Sequence, residues 1–224
     1  MTAPPNDRSR IRAIWARRLE QVDSQLTQAY VHRDIWQALR DEIVRVNPRS
    51  DGGFLASYTR LYAESTMMTI RRMADDDPDS DSLWSIWDRV RRNPECASRT
   101  EYMEIAAALV GSDHPDVESV RRQSDAHFTE SFGAGSHVDP ERVSGYQRRL
   151  RHESKIVGEF VDRRIAHLDP KGVIDLDLAV VNEAMDRVAA SANDLHRLLD
   201  RTLFAYEFVA VPPGWRASLR SLFG

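Results

Sequence analysis

Apolar residues recur every three to four positions along nearly the whole chain, which is the spacing of amphipathic α-helices. In the first segment these positions are Ile11, Ile14, Trp15, Leu19, Val22 and Leu26. A similar pattern continues from Ile35 to Val46. The alternating pattern of a strand is confined to the short stretch 204–211, which could be an extended tail. The chain is therefore predicted to be all-α.

Clusters of glycine, proline and aspartate divide this pattern into separate helices. They lie at 51–53, 75–78, 93–94, 111–115 and 133–136. Ser82 is predicted to cap a short helix, and Asp139 followed by Pro140 is typical of the start of a long one. A last long helix is predicted to begin near Asp175. We therefore expect a multi-helix bundle with two long antiparallel helices, joined by a tight turn at 170–174.

Length and composition limit the classes of protein to which the chain can belong. Its 224 residues, 42% of them hydrophobic, are enough to bury one large core, which we place at 1–205 with a C-terminal tail at 206–224. The net charge of −4 argues against a constitutive binder of bulk nucleic acid, although it leaves room for local basic patches. Cys96 is the single cysteine, which excludes a disulfide framework and a multi-cysteine metal site.

The sequence also bears on membranes, metals and cofactors. No stretch approaches the roughly 20 apolar residues of a membrane span, and the first residues lack the apolar core of a signal peptide. None of the histidines has a glutamate three positions ahead, and His152-Glu153 lacks the second histidine of a metalloprotease motif. We therefore expect a soluble, cytoplasmic protein with no membrane contact, no metal and no cofactor.

The segment 162–169 brings together a histidine, two arginines and two aspartates at the end of the predicted long helix. On a helix, Arg163 and His167 are neighbours on one face because they are four positions apart. Ile156 and Phe160 continue that face, while a second apolar stripe lies on another side of the same helix. One side can pack inside the bundle, and the side with His167 could meet a partner chain or a groove.

Two motifs resemble those of the HEPN superfamily of prokaryotic helical proteins, and above all its abortive-infection, AbiU-type branch. The stretch 161–169 resembles a family helix ending in Arg-Asp-Lys-x-x-Ala-His-x-Asp. The stretch 72–75, followed by Ser82-Leu83, resembles an earlier helix end, Arg-Leu-x-Asp, followed by a loop and a Ser-Leu helix start. The resemblance implies a compact helical bundle that forms a homodimer. It also implies either a metal-independent ribonuclease of antiphage defence or toxin–antitoxin pairs, or an inactive companion of another effector.

The chain departs from the family's nuclease motif, which has an arginine with four to six residues between it and the histidine. Phe160, Val161 and Asp162 stand at the corresponding positions here. By the resemblance, His167 would move a proton of the attacking 2′-hydroxyl or of the leaving group. Arg163 or Arg164 would have to replace the missing arginine as the clamp on the phosphate.

These residues define two candidate sets. The candidate catalytic residues are Asp162, Arg163, Arg164 and His167. The candidate substrate-binding residues are Arg72, Asp75 and Asp169. Because the motif arginine is missing, we expect a degenerate HEPN-like module that binds a partner protein or nucleic acid. The alternative is an active, metal-independent endoribonuclease that uses His167 with Arg163 or Arg164 on RNA.

Each feature also has a purely structural interpretation. His167 could interact with the last carbonyls of its helix, and Asp169 could cap a turn. Arg163 could pair with Glu159, and Arg72 with Asp75, as local ion pairs on a helix surface. The arginine clusters, including Arg148, Arg149 and Arg151, could belong to solvated, salt-bridged faces.

Overall fold

The computed structural model of the protein describes residues 5–46, 53–111, 114–161 and 177–199, together with positions 206, 214, 217 and 221. Within these residues the chain is an all-α, multi-helix bundle, as the sequence predicts. The helices are α1 (Pro5–Val46), α2 (Gly53–Met73), α3 (Leu83–Arg92), α4 (Arg99–Val110), α5 (Val117–Phe132), α6 (Pro140–Val161) and α7 (Leu178–Leu199). A 3₁₀ turn at Pro94–Cys96 links α3 to α4. In the described part of the chain, no helix is long and apolar enough to cross a membrane.

Helix starts lie where the capping residues predict them. The hydroxyl oxygen of Ser82 accepts a hydrogen bond from the Ser85 N–H at 2.9 Å and so caps α3. The carboxylate of Asp139 accepts from the Glu141 N–H at 2.8 Å at the start of α6. Helix α5 extends from Val117 to Phe132 and ends at Gly133, which has a φ of 111°.

Helices α6 and α7 are antiparallel, in agreement with the prediction for the two long C-terminal helices. Glu153 of α6 accepts from Arg187 of α7 at 2.8 Å, and Asp194, further along α7, lies beside Tyr146, nearer the start of α6. Burial, reinforced by the Asp194 carboxylate, raises the pKa of Tyr146. The tight turn predicted at 170–174 lies outside the described residues.

Trp87 is the centre of the contact between α3, α6 and α7. Its side chain is fully buried, and its ring stacks on Tyr146 with centroids 4.2 Å apart. Its indole N–H donates to the hydroxyl oxygen of Ser191 at 3.1 Å. One side chain therefore joins three helices through both apolar packing and a buried hydrogen bond.

A buried polar cluster joins α1, α7 and the segment that follows α7. The carboxylate of Asp23 lies 2.9 and 3.0 Å from Nε2 of His196 and accepts a hydrogen bond from the hydroxyl of Tyr206. The Tyr206 ring also stacks on Tyr30, with centroids 5.8 Å apart. Burial, with Asp23 beside the hydroxyl, raises the pKa of Tyr206. The cluster fixes how α7 lies along α1.

Candidate functional site

The structure divides the sequence-predicted site residues into two groups. Helix α6, which leads into the histidine motif, is described as far as Val161. The motif residues Asp162, Arg163, Arg164, His167 and Asp169 lie outside the described residues, as does the proposed pairing of Arg163 with Glu159. Arg72 and Asp75 lie within them, at the end of α2 and in the loop that follows.

Arg72 and Asp75 line an open groove of about 420 Å³ between the end of α2 and the middle of α6. Its other lining residues are Met68, Arg71, Ala74, Asp76, Arg151 and Ser154. We call this the α2–α6 groove. Three guanidinium groups and two carboxylates therefore face one concave surface, so its positive charge exceeds its negative charge by one.

Arg72 and Asp75 do not form the local ion pair that their spacing allows, so that interpretation is wrong. The Asp75 carboxylate instead accepts the N–H of Asp77 at 3.2 Å, and its backbone carbonyl accepts the Ser82 hydroxyl at 2.6 Å. Asp75 thus shapes the loop before α3, as aspartate commonly does in turns. The exposed Arg72 makes no hydrogen bond or ion pair with the described part of the chain.

Arg151 forms the opposite wall of the α2–α6 groove. It donates to Asp76 at 3.0 Å, and its guanidinium lies 5.1 Å from the centre of the Trp84 ring. This pair ties the loop after α2 to α6. Since both side chains are more than half exposed, the ion pair contributes little stability. The Asp76 carboxylate also offsets part of the positive charge of the groove.

The exposed face of α6 carries further basic side chains beyond the groove. Arg148, His152 and Lys155 follow one another at helical spacing, and all three are exposed. Arg148 pairs with Glu141 at 2.9 Å, as predicted for a salt-bridged face, whereas Lys155 makes no ion pair with the described residues. We call Arg71, Arg72, Arg148, Arg151 and Lys155 the cationic surface.

Arg149 departs from the expectation of a salt-bridged cluster. Its guanidinium lies over the ring of Tyr146, 4.4 Å from the centroid, and it forms no ion pair with a described residue. It faces the side of α6 that meets α7, where it lines a cavity with Glu153 and Arg187. Arg149 is therefore separate from the cationic surface.

The cationic surface has the chemistry of an anion-binding site. Guanidinium groups bind phosphate oxygens in pairs, and lysine adds a mobile point charge. No histidine is among the described residues that line the α2–α6 groove. In the same described ranges, no cluster of three or more histidine, cysteine, aspartate or glutamate side chains could hold a metal ion. The groove by itself is therefore suited to binding an anion.

The groove lies at a distance from the start of the histidine motif. Arg151 precedes Val161 by about ten residues, which corresponds to roughly 15 Å along a helix axis. Arg72 lines the same groove as Arg151. It therefore also lies roughly 15 Å from Val161, measured along the axis of α6.

Comparison of the chain with protein-family models, with curated proteins and with solved structures finds no match.

Sequence reasoning identified Arg72 by its motif and Arg148 and Arg151 as part of a basic cluster, but it did not place them on one surface. Ser154 and Lys155 belong to the same polar side of α6 as Arg151, and a helical plot of 148–155 would have placed them together. The contact between Arg151 and Asp76 joins residues 75 positions apart, so spacing within one helix could not predict it.

Proposed function

We propose that this chain is a HEPN-like protein of an antiphage-defence or toxin–antitoxin system, with a degenerate motif and a nucleic-acid-binding role. The family assignment rests on the two sequence motifs at 72–83 and 161–169. The binding role rests on the cationic surface of α2 and α6. By the same resemblance, we propose that the protein acts as a homodimer in the cytoplasm, alone or with a protein partner of the same defence system.

The single observation that carries the binding role is the arrangement of Arg72 and Lys155. Both side chains are exposed, and neither forms an ion pair with a described residue. They flank Arg151 and Arg148, whose ion pairs are exposed and therefore open to exchange with a phosphate. Because the net charge of the chain is −4, attraction to a polyanion must be local and strongly sensitive to salt.

Replacing Arg72 or Lys155 with alanine is expected to weaken oligonucleotide binding by roughly tenfold each at low salt, since each change removes one phosphate contact. The slope of log K against log salt concentration should also fall by about 0.7 to 0.9 for each contact removed. Fluorescence anisotropy of labelled RNA and DNA, repeated at several salt concentrations, measures both quantities.

Arg122→Ala is the matched control. Arg122 is an exposed arginine without an ion pair to the described residues, and it lies on α5, which packs mainly on α4. Its replacement should leave affinity and salt slope unchanged. If Arg122→Ala and Arg72→Ala lose the same amount of oligonucleotide affinity, binding is not specific to the surface on α2 and α6. If the wild-type protein does not bind the oligonucleotides, the nucleic-acid role is wrong.

The alternative function is a metal-independent endoribonuclease, favoured by the placement of Arg163 one helical turn before His167 in the sequence. His167 would act as the acid or base, and Arg163 or Arg164 would stabilise charge on the phosphate. In this case wild-type protein cleaves RNA in the presence of EDTA, and His167→Ala abolishes the cleavage without changing the melting temperature. A well-folded wild-type protein that cleaves none of a varied set of RNAs excludes this alternative.

A further inference from the structure

The outward face of α2 is unusually apolar for an exposed helix. Residues that lie three, four or seven positions apart share one side of a helix. Five residues of α2 with this spacing form a stripe along it: Phe54, Tyr58, Leu61, Met68 and Arg72. Phe54 is 63% exposed and Leu61 is 61% exposed. Large apolar side chains at that exposure, aligned on one face, are typical of a binding surface.

The two aromatic side chains of this face form an exposed pair. The rings of Phe54 and Tyr58 stack with centroids 6.4 Å apart and planes 14° apart. Tyr58 is half-buried, which holds one ring against the helix, whereas Phe54 presents most of its surface to solvent. A planar ring held in this way can stack on another planar group.

Beyond the exposed Ser65, which separates Leu61 from Met68, the same face of the helix reaches the α2–α6 groove. Met68 and Arg72 belong to both, since they lie on the stripe and also line the groove. One end of the face is therefore aromatic and the other end cationic. A ligand that spans it would place a planar apolar group at the first end and negative charge at the second, and a nucleic-acid strand carries both.

We propose that the outward face of α2 binds single-stranded nucleic acid, with a base stacked on Phe54 and the phosphates directed to Arg72 and the α2–α6 groove. This inference rests on the proposed nucleic-acid-binding function and specifies its ligand. In a duplex the bases are already stacked on each other, so only an unpaired base can reach Phe54. From Phe54 to Arg72 the helix spans roughly 27 Å, room for about four nucleotides, at the low end of known single-strand site sizes.

The test measures anisotropy of labelled single-stranded RNA and DNA of about 12 nucleotides, and of the duplexes of the same sequence. Phe54→Ala is expected to weaken single-strand binding between about fivefold and a hundredfold, the range found for the loss of one stacked base. Duplex binding is expected to be weaker from the start and unchanged by this substitution.

Leu109→Ala is the matched control, because Leu109 is 66% exposed and lies on α4, which packs mainly on α5 and is not part of the outward face of α2. It should leave single-strand affinity within about twofold, since it offers nothing on which a base can stack. Because both positions are exposed, both variants are expected to fold, and circular dichroism verifies this.

The possible results separate this inference from the function on which it rests. Unchanged binding by Phe54→Ala, with binding lost in Arg72→Ala, overturns stacking and leaves the cationic surface in place. Equal affinity for duplex and single strand overturns the choice of ligand. Absence of binding in the wild type overturns both. If Phe54→Ala and Leu61→Ala instead abolish self-association in sedimentation velocity, the face is an interface between copies of the chain, and the inference is wrong.

Discussion

Trp87→Ala is expected to lower the free energy of unfolding by about 3–5 kcal/mol, the range for removing a large buried aromatic side chain. Trp87 is fully buried, and the void left by its indole would border α3, α6 and α7 together. The substitution also leaves the buried hydroxyl of Ser191 without its N–H donor. Urea denaturation followed by far-ultraviolet circular dichroism measures the loss.

Trp87→Phe separates packing from hydrogen bonding at the same position. Phenylalanine retains a ring against Tyr146 and loses only the N–H donor and part of the volume, so we expect a loss of about 1–2 kcal/mol. If alanine and phenylalanine destabilise the protein equally, stacking on Tyr146 contributes little. A loss below about 1 kcal/mol for Trp87→Ala would contradict its central place in the core.

Asp23→Ala is expected to destabilise the protein by about 3–5 kcal/mol, because it removes the buried carboxylate with which two buried side chains form hydrogen bonds. The two groups are Nε2 of His196, which lies 2.9 and 3.0 Å from the two carboxylate oxygens, and the hydroxyl of Tyr206. All three side chains are buried, so water cannot replace the lost contacts without opening the structure. Thermal and urea unfolding measure the effect.

The matched control for this substitution lies on the same helix. The side chain of Asp41 is 74% exposed, and its nearest cation is Arg40 at 3.8 Å, so Asp41→Ala should change stability by less than about 0.5 kcal/mol. If the two substitutions have the same effect, the cluster around Asp23 is not a specific source of stability.

Local chemistry explains why the fold could be predicted from the sequence. Helical periodicity over 5–46 requires only that one face be buried, and Ser82 and Asp139 cap their helices through contacts within three residues. Gly133 ends α5 with a φ of 111°, a backbone conformation that glycine adopts readily and other residues rarely adopt. Signals of this kind depend on neighbours in the chain and not on the packing of distant helices.

The candidate surface depends on contacts between distant parts of the chain, so only single members of it could be predicted. Arg72 was identified by its motif, yet its neighbourhood is set by the packing of α2 on α6, which brings Arg151 to Asp76. Arg72 does not pair with Asp75, whose carboxylate accepts a backbone N–H two residues further on, and the geometry of that loop is not evident from the spacing of the two residues.

The burial of Tyr206 has a consequence for the cooperativity of the whole protein. Its hydroxyl and ring contact α1, the first helix of the chain, through Asp23 and Tyr30. Tyr206 is therefore thermodynamically coupled to the N-terminal helix, and separation of that contact requires opening of the core. A substitution at Tyr206 will therefore change the unfolding of α1, nearly two hundred positions earlier in the chain.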